Sequence, residues 1–153
     1  MILDKKDNKL LNLLQNNSRA TASEMASEIG LSIPAVAERI KKLVEHGYIE
    51  QFTAQINAKK LGFDLTSFIT VDSSSSDRYE DIVRSSLDHP SVLECHSVTG
   101  GGSHLLKIRV RNSTELEKLL SDIQQWPGVI RTHTMVVLST YKEGMNIALQ
   151  HQS

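Results

Sequence analysis

Two short segments set the tightest limit on what this chain can fold into. Asp88-His89-Pro90-Ser91-Val92 and Gln125-Trp126-Pro127-Gly128-Val129 share an aromatic ring, a proline, a small residue and a valine, 37 residues apart. Each follows a helical pattern, with Tyr79, Ile82, Val83 and Leu87 before the first and Leu116, Leu119, Leu120 and Ile123 before the second. Strand-like runs flank these units at 67–71, 92–98, 105–110 and 129–138. The order is β-α-β-β-α-β, which predicts a ferredoxin-like sandwich of one antiparallel sheet and two helices. Two copies are too few for a solenoid. The stretch 72–77, with four serines between two aspartates, reads as a loop whose last serine or aspartate caps the next helix.

The chain before this region has a different grammar. Asp4 caps a helix over 4–15, with Asp7 in its first turn and Leu10, Leu11 and Leu14 as its apolar face. Thr21 and Glu24 have the spacing of a capping box and open a second helix with Met25, Ala26 and Ile29 inward, stopped by Gly30. Ser32 caps a third helix with Pro34 in its first turn, and Val36, Ile40, Leu43 and Val44 form its buried stripe. Gly47 ends it, and 48–56 is rich enough in β-favouring residues to predict a strand. Taken together the expectation is an α+β protein: a three-helix helix-turn-helix domain over 1–62, then a ferredoxin-like β-α-β-β-α-β domain over 63–153.

The second and third helices, joined by Gly30-Leu31, have the layout in which the later helix enters the major groove and offers its N-terminal residues to base edges. Its outward positions suit that task. Ser32, Pro34 and Ala35 are small enough for close approach, and Arg39, Lys41 and Lys42 reach phosphates or guanine edges. Glu38 accepts from cytosine or orients a neighbouring cation through a helical ion pair. The alternative is a solvated charged face on a three-helix bundle.

Charge supports a divided protein. The net charge is −1 over 153 residues, which excludes a basic nucleic-acid tail or an acidic disordered chain. Residues 1–62 hold nine Lys/Arg against seven Asp/Glu, and 63–153 hold eight against eleven. A mildly basic reader attracts phosphate only moderately, so tight binding has to come from presenting several readers at once. Cys95 is the only cysteine, the first residues lack a signal-peptide apolar core, and no apolar run approaches a membrane span. These features predict a cytoplasmic protein with no membrane partner.

Many of these residues resemble the Lrp/AsnC (feast/famine) family of bacterial and archaeal transcriptional regulators. Leu3-Asp4, Asp7, Leu10-Leu11, Arg19, Leu31-Ser32, Val36, Arg39-Ile40, Leu43 and Gly47-Tyr48-Ile49 carry the match, which continues through Phe52-Thr53-Ala54, Ile56-Asn57 and Leu61-Gly62. It resumes at Glu94-Cys95-His96, Thr99-Gly100, Leu105-Leu106-Lys107, Pro127-Gly128-Val129 and 132–137, and so spans about residues 2–140. The resemblance implies a sequence-specific regulator of double-stranded DNA with Ser32, Pro34, Ala35, Glu38, Arg39, Lys41 and Lys42 at the DNA. It implies a homodimer that pairs or swaps the strand after Gly47 and assembles further to tetramers or octamers. It also implies an amino-acid effector near the turn between the second and third strands of the C-terminal domain and near the last strand. In this chain those positions are Ser97, Gly100, Gly101, Gly102, Ser103 and His104, with Thr132, His133, Thr134, Met135 and Val136.

The turn departs from the family pattern. Members carry Gly-Asp-aromatic-Asp-Tyr, whereas this chain has Gly101 and Ser103 at the two acidic positions. A carboxylate there would hold a ligand's ammonium group by a charge-assisted hydrogen bond, so the effector binds differently here or the protein is an effector-independent architectural DNA binder. An enzyme on the same architecture, of the sirohaem decarboxylase kind, is the remaining alternative. The chain lacks the Arg-Arg-Ile-Gly-like segment of those enzymes, having Gln51-Phe52-Thr53-Ala54, and shows no nucleophile–base pair. No cofactor and no catalytic group is expected. His96, His104 and His133 lack the tight Cys/His spacing of a zinc site, so no metal is expected either. Cys95 reads as a packing thiol and Trp126 as a core or interface anchor.

Overall fold

The protein is described by a computed structural model over residues 1–149. The chain divides into two compact units. One comprises Met1–Ile56 together with residues 142–149, and the other comprises Asn57–Tyr141.

The first unit holds α1 (Lys5–Asn16), α2 (Ala22–Ile29) and α3 (Ile33–Glu45). Each begins at the residue its sequence designates. Asp4 and Asp7 form a reciprocal capping box at α1, Thr21 and Glu24 do the same at α2, and the Ser32 hydroxyl accepts from the Ala35 N–H at α3. Leu10, Leu14, Met25, Ala26, Ile29, Val36 and Leu43 form one buried cluster. Val44, expected in the buried stripe, is 43% exposed. It sits one helical position too far round from Leu43 for the narrow contact with α1 and α2 to cover it.

One expectation for this unit is corrected. Residues 48–56 form no strand, because a ladder needs a neighbouring strand and no strand of this chain pairs with them. The segment is held only at points. The Tyr48 and Ile49 N–H groups donate to the Leu43 carbonyl, and the Ser18 hydroxyl donates to the Thr53 carbonyl. By its internal contacts this compact unit runs to Ile56 and includes residues 142–149. Gln15 on α1 donates through Nε2 to the Ile147 carbonyl (2.8 Å) and accepts at Oε1 from the Ile147 N–H (3.0 Å).

The second unit contains β1 (Leu65–Ser73), α4 (Tyr79–Asp88), β2 (Val92–Ser97), β3 (His104–Val110), α5 (Ser113–Gln124) and β4 (Val129–Val136). The sheet runs β2-β3-β1-β4, all neighbours antiparallel, as a ferredoxin-like sandwich requires. Ile69 and Val71 of β1 and Leu106, Ile108 and Val110 of β3 join Ile82, Leu116, Leu119 and Ile123 from the helices in one core. Their alternation fixes the register, because a slip of one residue would turn that set outward. Cys95 and Trp126 pack against this core as expected.

The repeated segments occupy equivalent corners, each ending a helix and starting a strand, with the His89 and Trp126 rings 6.2 Å apart. The small residue differs between them for a local reason. Gly128 has φ +86°, and a Cβ there would lie 2.6 Å from Arg78 Cβ, so a side chain is excluded. The serine-rich loop is corrected in one respect. A short 3-10 turn, Ser76–Arg78, leads into α4, and no serine or aspartate side chain caps that helix.

Candidate DNA-reading face and ligand groove

The outer face of α3 is built by the turn before it. Leu31 follows Gly30 into the turn, its N–H donating to the Ala26 carbonyl, and the Ser32 cap starts the new helix. Of the predicted DNA-contact residues, Ser32, Pro34, Glu38, Lys41 and Lys42 are exposed and Ala35 is half-buried. Lys41 lies 3.7 Å from Glu45 and Lys42 lies 3.6 Å from Glu38. Such solvated i,i+4 pairs are weak and screened, so either lysine can exchange its glutamate for a phosphate. Ile33, 51% exposed, and exposed Ala37 share this face and were missed from the sequence. Counting back by four from Lys41 finds both, and their methyl groups suit thymine methyls.

Arg39 is the exception. Its Nη1 donates to Asp4 Oδ2 at 2.8 Å and to Asp7 Oδ1 at 2.7 Å, and the Asp7 side chain is almost fully buried. Arg39 lies beside the buried stripe and faces α1, so its guanidinium ties two helices together. The hydrogen bond from the Asp7 backbone, helped by Arg39 and the Lys6 N–H, holds the Asp4 carboxyl below its ordinary value, and the Asp7 side chain raises Arg39.

In the second unit, the predicted effector residues do not converge. Side chains alternate along a strand, so neighbours on β4 face opposite ways. Thr132 and Thr134 pair with core-facing Val71 and Ile69, whereas His133 and Met135 pair with Thr70 and Phe68 on the open face. Val136 pairs with Ser67 on the core side. The hairpin tip is also fixed in place. The Ser103 N–H and hydroxyl both donate to the Val71 carbonyl, at 2.8 and 3.1 Å. Gly102, at φ +98°, leaves a would-be Cβ only 3.1 Å from Thr70 Cβ, whereas Gly100 and Gly101 stand in open space.

Two of the predicted residues do meet. Ser97 and His104, paired across β2 and β3, line a groove of 440 Å³ with Tyr79, Glu80, Val83, Arg84 and Leu87 of α4. His104 is 1% exposed, packs edge-on against the Tyr79 ring at 5.0 Å, and has Nδ1 at 2.8 Å from the Ser103 hydroxyl. Burial pushes its pKa below the ordinary value near 6.5. The α4 residues were legible only as helix periodicity. Of that stripe, Ile82 enters the core while Tyr79, Val83 and Leu87 stay exposed, so the apolar face is wider than the core consumes.

The other histidines are separate. His96 lies on the sheet at 3.2 Å from Glu94, which also meets Lys107 at 3.3 Å. Among the described residues no group of three or more His, Cys, Asp or Glu side chains is placed to hold a metal, and no helix is long and apolar enough to cross a membrane.

A three-helix reader followed by a ferredoxin-like domain defines the class of a DNA-binding regulator with a ligand-binding module. Sequence-family models agree unit by unit: "Winged helix-turn-helix DNA-binding" matches residues 3–50 and "Lrp/AsnC ligand binding domain" matches 66–147. The chain is 36% identical to the HTH-type transcriptional regulator FL11 of Pyrococcus horikoshii, across 97% of both proteins. It is 32% identical to the leucine-responsive regulatory protein of Escherichia coli, across 97% of this chain and 92% of that one. A transcriptional regulator of Neisseria meningitidis, solved in complex with L-methionine, superposes with a TM-score of 0.93 at 29% identity, covering 98% of this chain and 99% of that one. The chain belongs to the Lrp/AsnC family and is a DNA-binding transcriptional regulator of that type.

Two predictions follow from these placements. Lys41→Ala and Lys42→Ala should each weaken DNA retention and lower the salt slope by about 1, leaving the unfolding midpoint in place. Arg39→Ala should instead lower the stability of the first unit by on the order of 3 kcal/mol, because Asp7 is left buried without its cation. Salt-dependent gel shifts and thermal unfolding separate the two behaviours. Equal midpoints for Arg39→Ala and the wild type would contradict the assignment.

A third prediction concerns acid. A depressed histidine pKa means that the unfolded chain binds the His104 proton more readily than the fold does. The corresponding stability is complete above the ordinary value near 6.5 and declines as pH falls below it. Unfolding followed by the single tryptophan, Trp126, should show a falling midpoint between about pH 7.5 and 5.5, with a smaller fall in His104→Asn. Identical pH profiles for the two proteins would contradict it.

Proposed function

We propose that the chain binds duplex DNA through the outer face of α3, as a homodimer or a larger assembly of dimers, and that an amino acid or related small metabolite modulates this binding. The observation that carries the DNA reading is a capped helix presenting Ile33, Pro34, Ala37, Glu38, Lys41 and Lys42 outward. Ser32 contributes through the cap, Ala35 from the flank, and Arg39 as the tie that sets the helix in position.

Assembly is supported by surface that one chain leaves uncovered. The unpaired segment 48–56 exposes Phe52 and Ile56, and the open sheet face carries Phe68, Leu105 and Met135. A second copy supplies both a strand partner and an apolar cover, and larger assemblies follow the family pattern of tetramers and octamers. Modulation is supported by the ligand-binding family match and by the L-methionine complex of the Neisseria regulator. The effector-independent reading has one observation in its favour: the hairpin tip has glycine at 101 and serine at 103, with no carboxylate of its own.

Two readers on one dimer require half-sites about one helical turn apart, near 10 bp. Selection of bound sequences, followed by gel shifts on a selected site with 5 bp inserted between its halves, tests this directly. The insertion turns one half-site to the opposite side of the duplex and should cost at least about tenfold in affinity. A protein that sediments as a monomer, or retention indifferent to the insertion, would overturn the reading.

A further inference from the structure

We infer that Glu38 sets the base preference of the α3 face. Its carboxylate accepts a hydrogen bond from the N4 amino group of a cytosine in the major groove, while Ile33 and Ala37 meet the methyl groups of neighbouring thymines. The inference rests on the DNA-reading face proposed above and gives it a sequence class, a C·G pair beside T·A pairs.

The first argument is what the base-facing part of α3 lacks. A helix entering the major groove offers its N-terminal residues to the base edges. The exposed positions in the first two turns of α3 are Ile33, Pro34, Ala37 and Glu38, and none of these side chains carries a donor. The commonest specific contact, an arginine forked onto guanine O6 and N7, would have to come from Arg39. That guanidinium is held at 2.8 Å by Asp4 and 2.7 Å by Asp7, and turning it to a base would strand the buried Asp7 carboxylate. Lys41 and Lys42 follow one turn later, each beside a glutamate, and serve as point charges for phosphate.

The second argument is the charge on Glu38. Its Oε1 lies 3.6 Å from Lys42 Nζ, and its Oε2 has no partner among the described residues. A carboxylate brought against a polyanion loses water and meets repulsion, so it is tolerated only where the groove returns a donor. Guanine shows O6 and N7 there and thymine shows O4, all acceptors, whereas cytosine N4 and adenine N6 donate. Adenine's amino group stands next to its own N7 acceptor, which opposes the second carboxylate oxygen. Cytosine's stands next to a C5–H. Glu38 therefore works chiefly by rejection, because any other base leaves its charge unmatched.

The third argument is the apolar surface beside that carboxylate. Ile33 is 51% exposed, and exposed Ala37 stands one turn further along the same side of the helix, next to Glu38. The thymine methyl is the apolar group that the major groove presents. Seating it on Ile33 or Ala37 removes from water surface that the fold leaves wet. From Ile33 to Glu38 the helix rises about 7.5 Å, roughly two base-pair steps, so the methyl contacts fall within about two pairs of the cytosine.

Selection of bound duplexes from a random library, by the full chain and by Glu38→Ala, tests the inference, followed by fluorescence anisotropy on the selected duplex. The wild type should select a C·G pair with T·A nearby in each half-site, and Glu38→Ala should show no preference at that pair. Changing the pair should cost the wild type about fivefold or more in affinity and Glu38→Ala under about twofold. Two probes act on the wild type itself, independently of how any variant folds. N4-methylcytosine, whose methyl group takes the major-groove position of the amino hydrogen, should weaken binding as a base change does. Uracil in place of thymine removes only the methyl and should cost about threefold. Glu38→Ala should be insensitive to the first probe and Ile33→Ala to the second, whereas Lys41→Ala should weaken every duplex alike. An unchanged preference in Glu38→Ala, or full wild-type affinity for the N4-methylcytosine duplex, would overturn the inference while leaving a regulator that reads DNA through α3. A wild type that retains no duplex above any other would overturn both the inference and the DNA-reading face.

Discussion

The tie between Arg39 and the two aspartates of α1 is the contact on which the reader depends. Asp4 caps α1 by accepting from the Lys6 and Asp7 N–H groups, and Asp7 Oδ2 in turn accepts from the Asp4 N–H. The remaining oxygens of both carboxylates meet one guanidinium from α3. One small cluster therefore starts the first helix and fixes the third against it. Because the Asp7 side chain is buried, its charge is tolerable only while Arg39 is present. The face that α3 turns outward is consequently anchored from the flank of the helix, through the tie of Arg39 to α1.

That arrangement also changes the reading of charge. Arg39 is matched twice over by Asp4 and Asp7, which leaves Lys41 and Lys42 as the cations of the outer face, each beside a glutamate. A single reader so furnished has limited non-specific attraction for phosphate. In the proposed assembly, affinity comes from presenting several readers together, and the uncovered sheet face and the unpaired segment 48–56 are the surfaces proposed to carry it. The second unit follows a parallel logic. Ser103 pins the hairpin to β1, and its hydroxyl oxygen lies 2.8 Å from Nδ1 of the buried His104 ring.

Most of the fold was legible because it rests on local chemistry. Ser32, Thr21 with Glu24, and Asp4 with Asp7 act within one helical turn, so spacing alone locates the helix starts. The paired proline corners and the alternation through 105–110 likewise specify the sheet and its order. What sequence could not supply was partnership at long range. Arg39 looks like any other cation of a recognition helix until Asp7, 32 residues away, is found beside it. The β-favouring segment 48–56 has strand composition, but composition cannot provide the neighbour that a ladder needs. The resemblance groups Thr132 to Val136 as one lining, whereas period-two alternation divides the run between two faces.

A double-mutant cycle of Asp7→Ala and Arg39→Ala, read by reversible unfolding of the full chain, tests the central tie most directly. The account predicts that the double variant is more stable than the sum of the single losses implies, with a coupling of at least about 1.5 kcal/mol, because removing both partners leaves no unmatched buried charge. Additive losses, with coupling below about 0.5 kcal/mol, would show that Arg39 is an ordinary surface cation and would contradict the account.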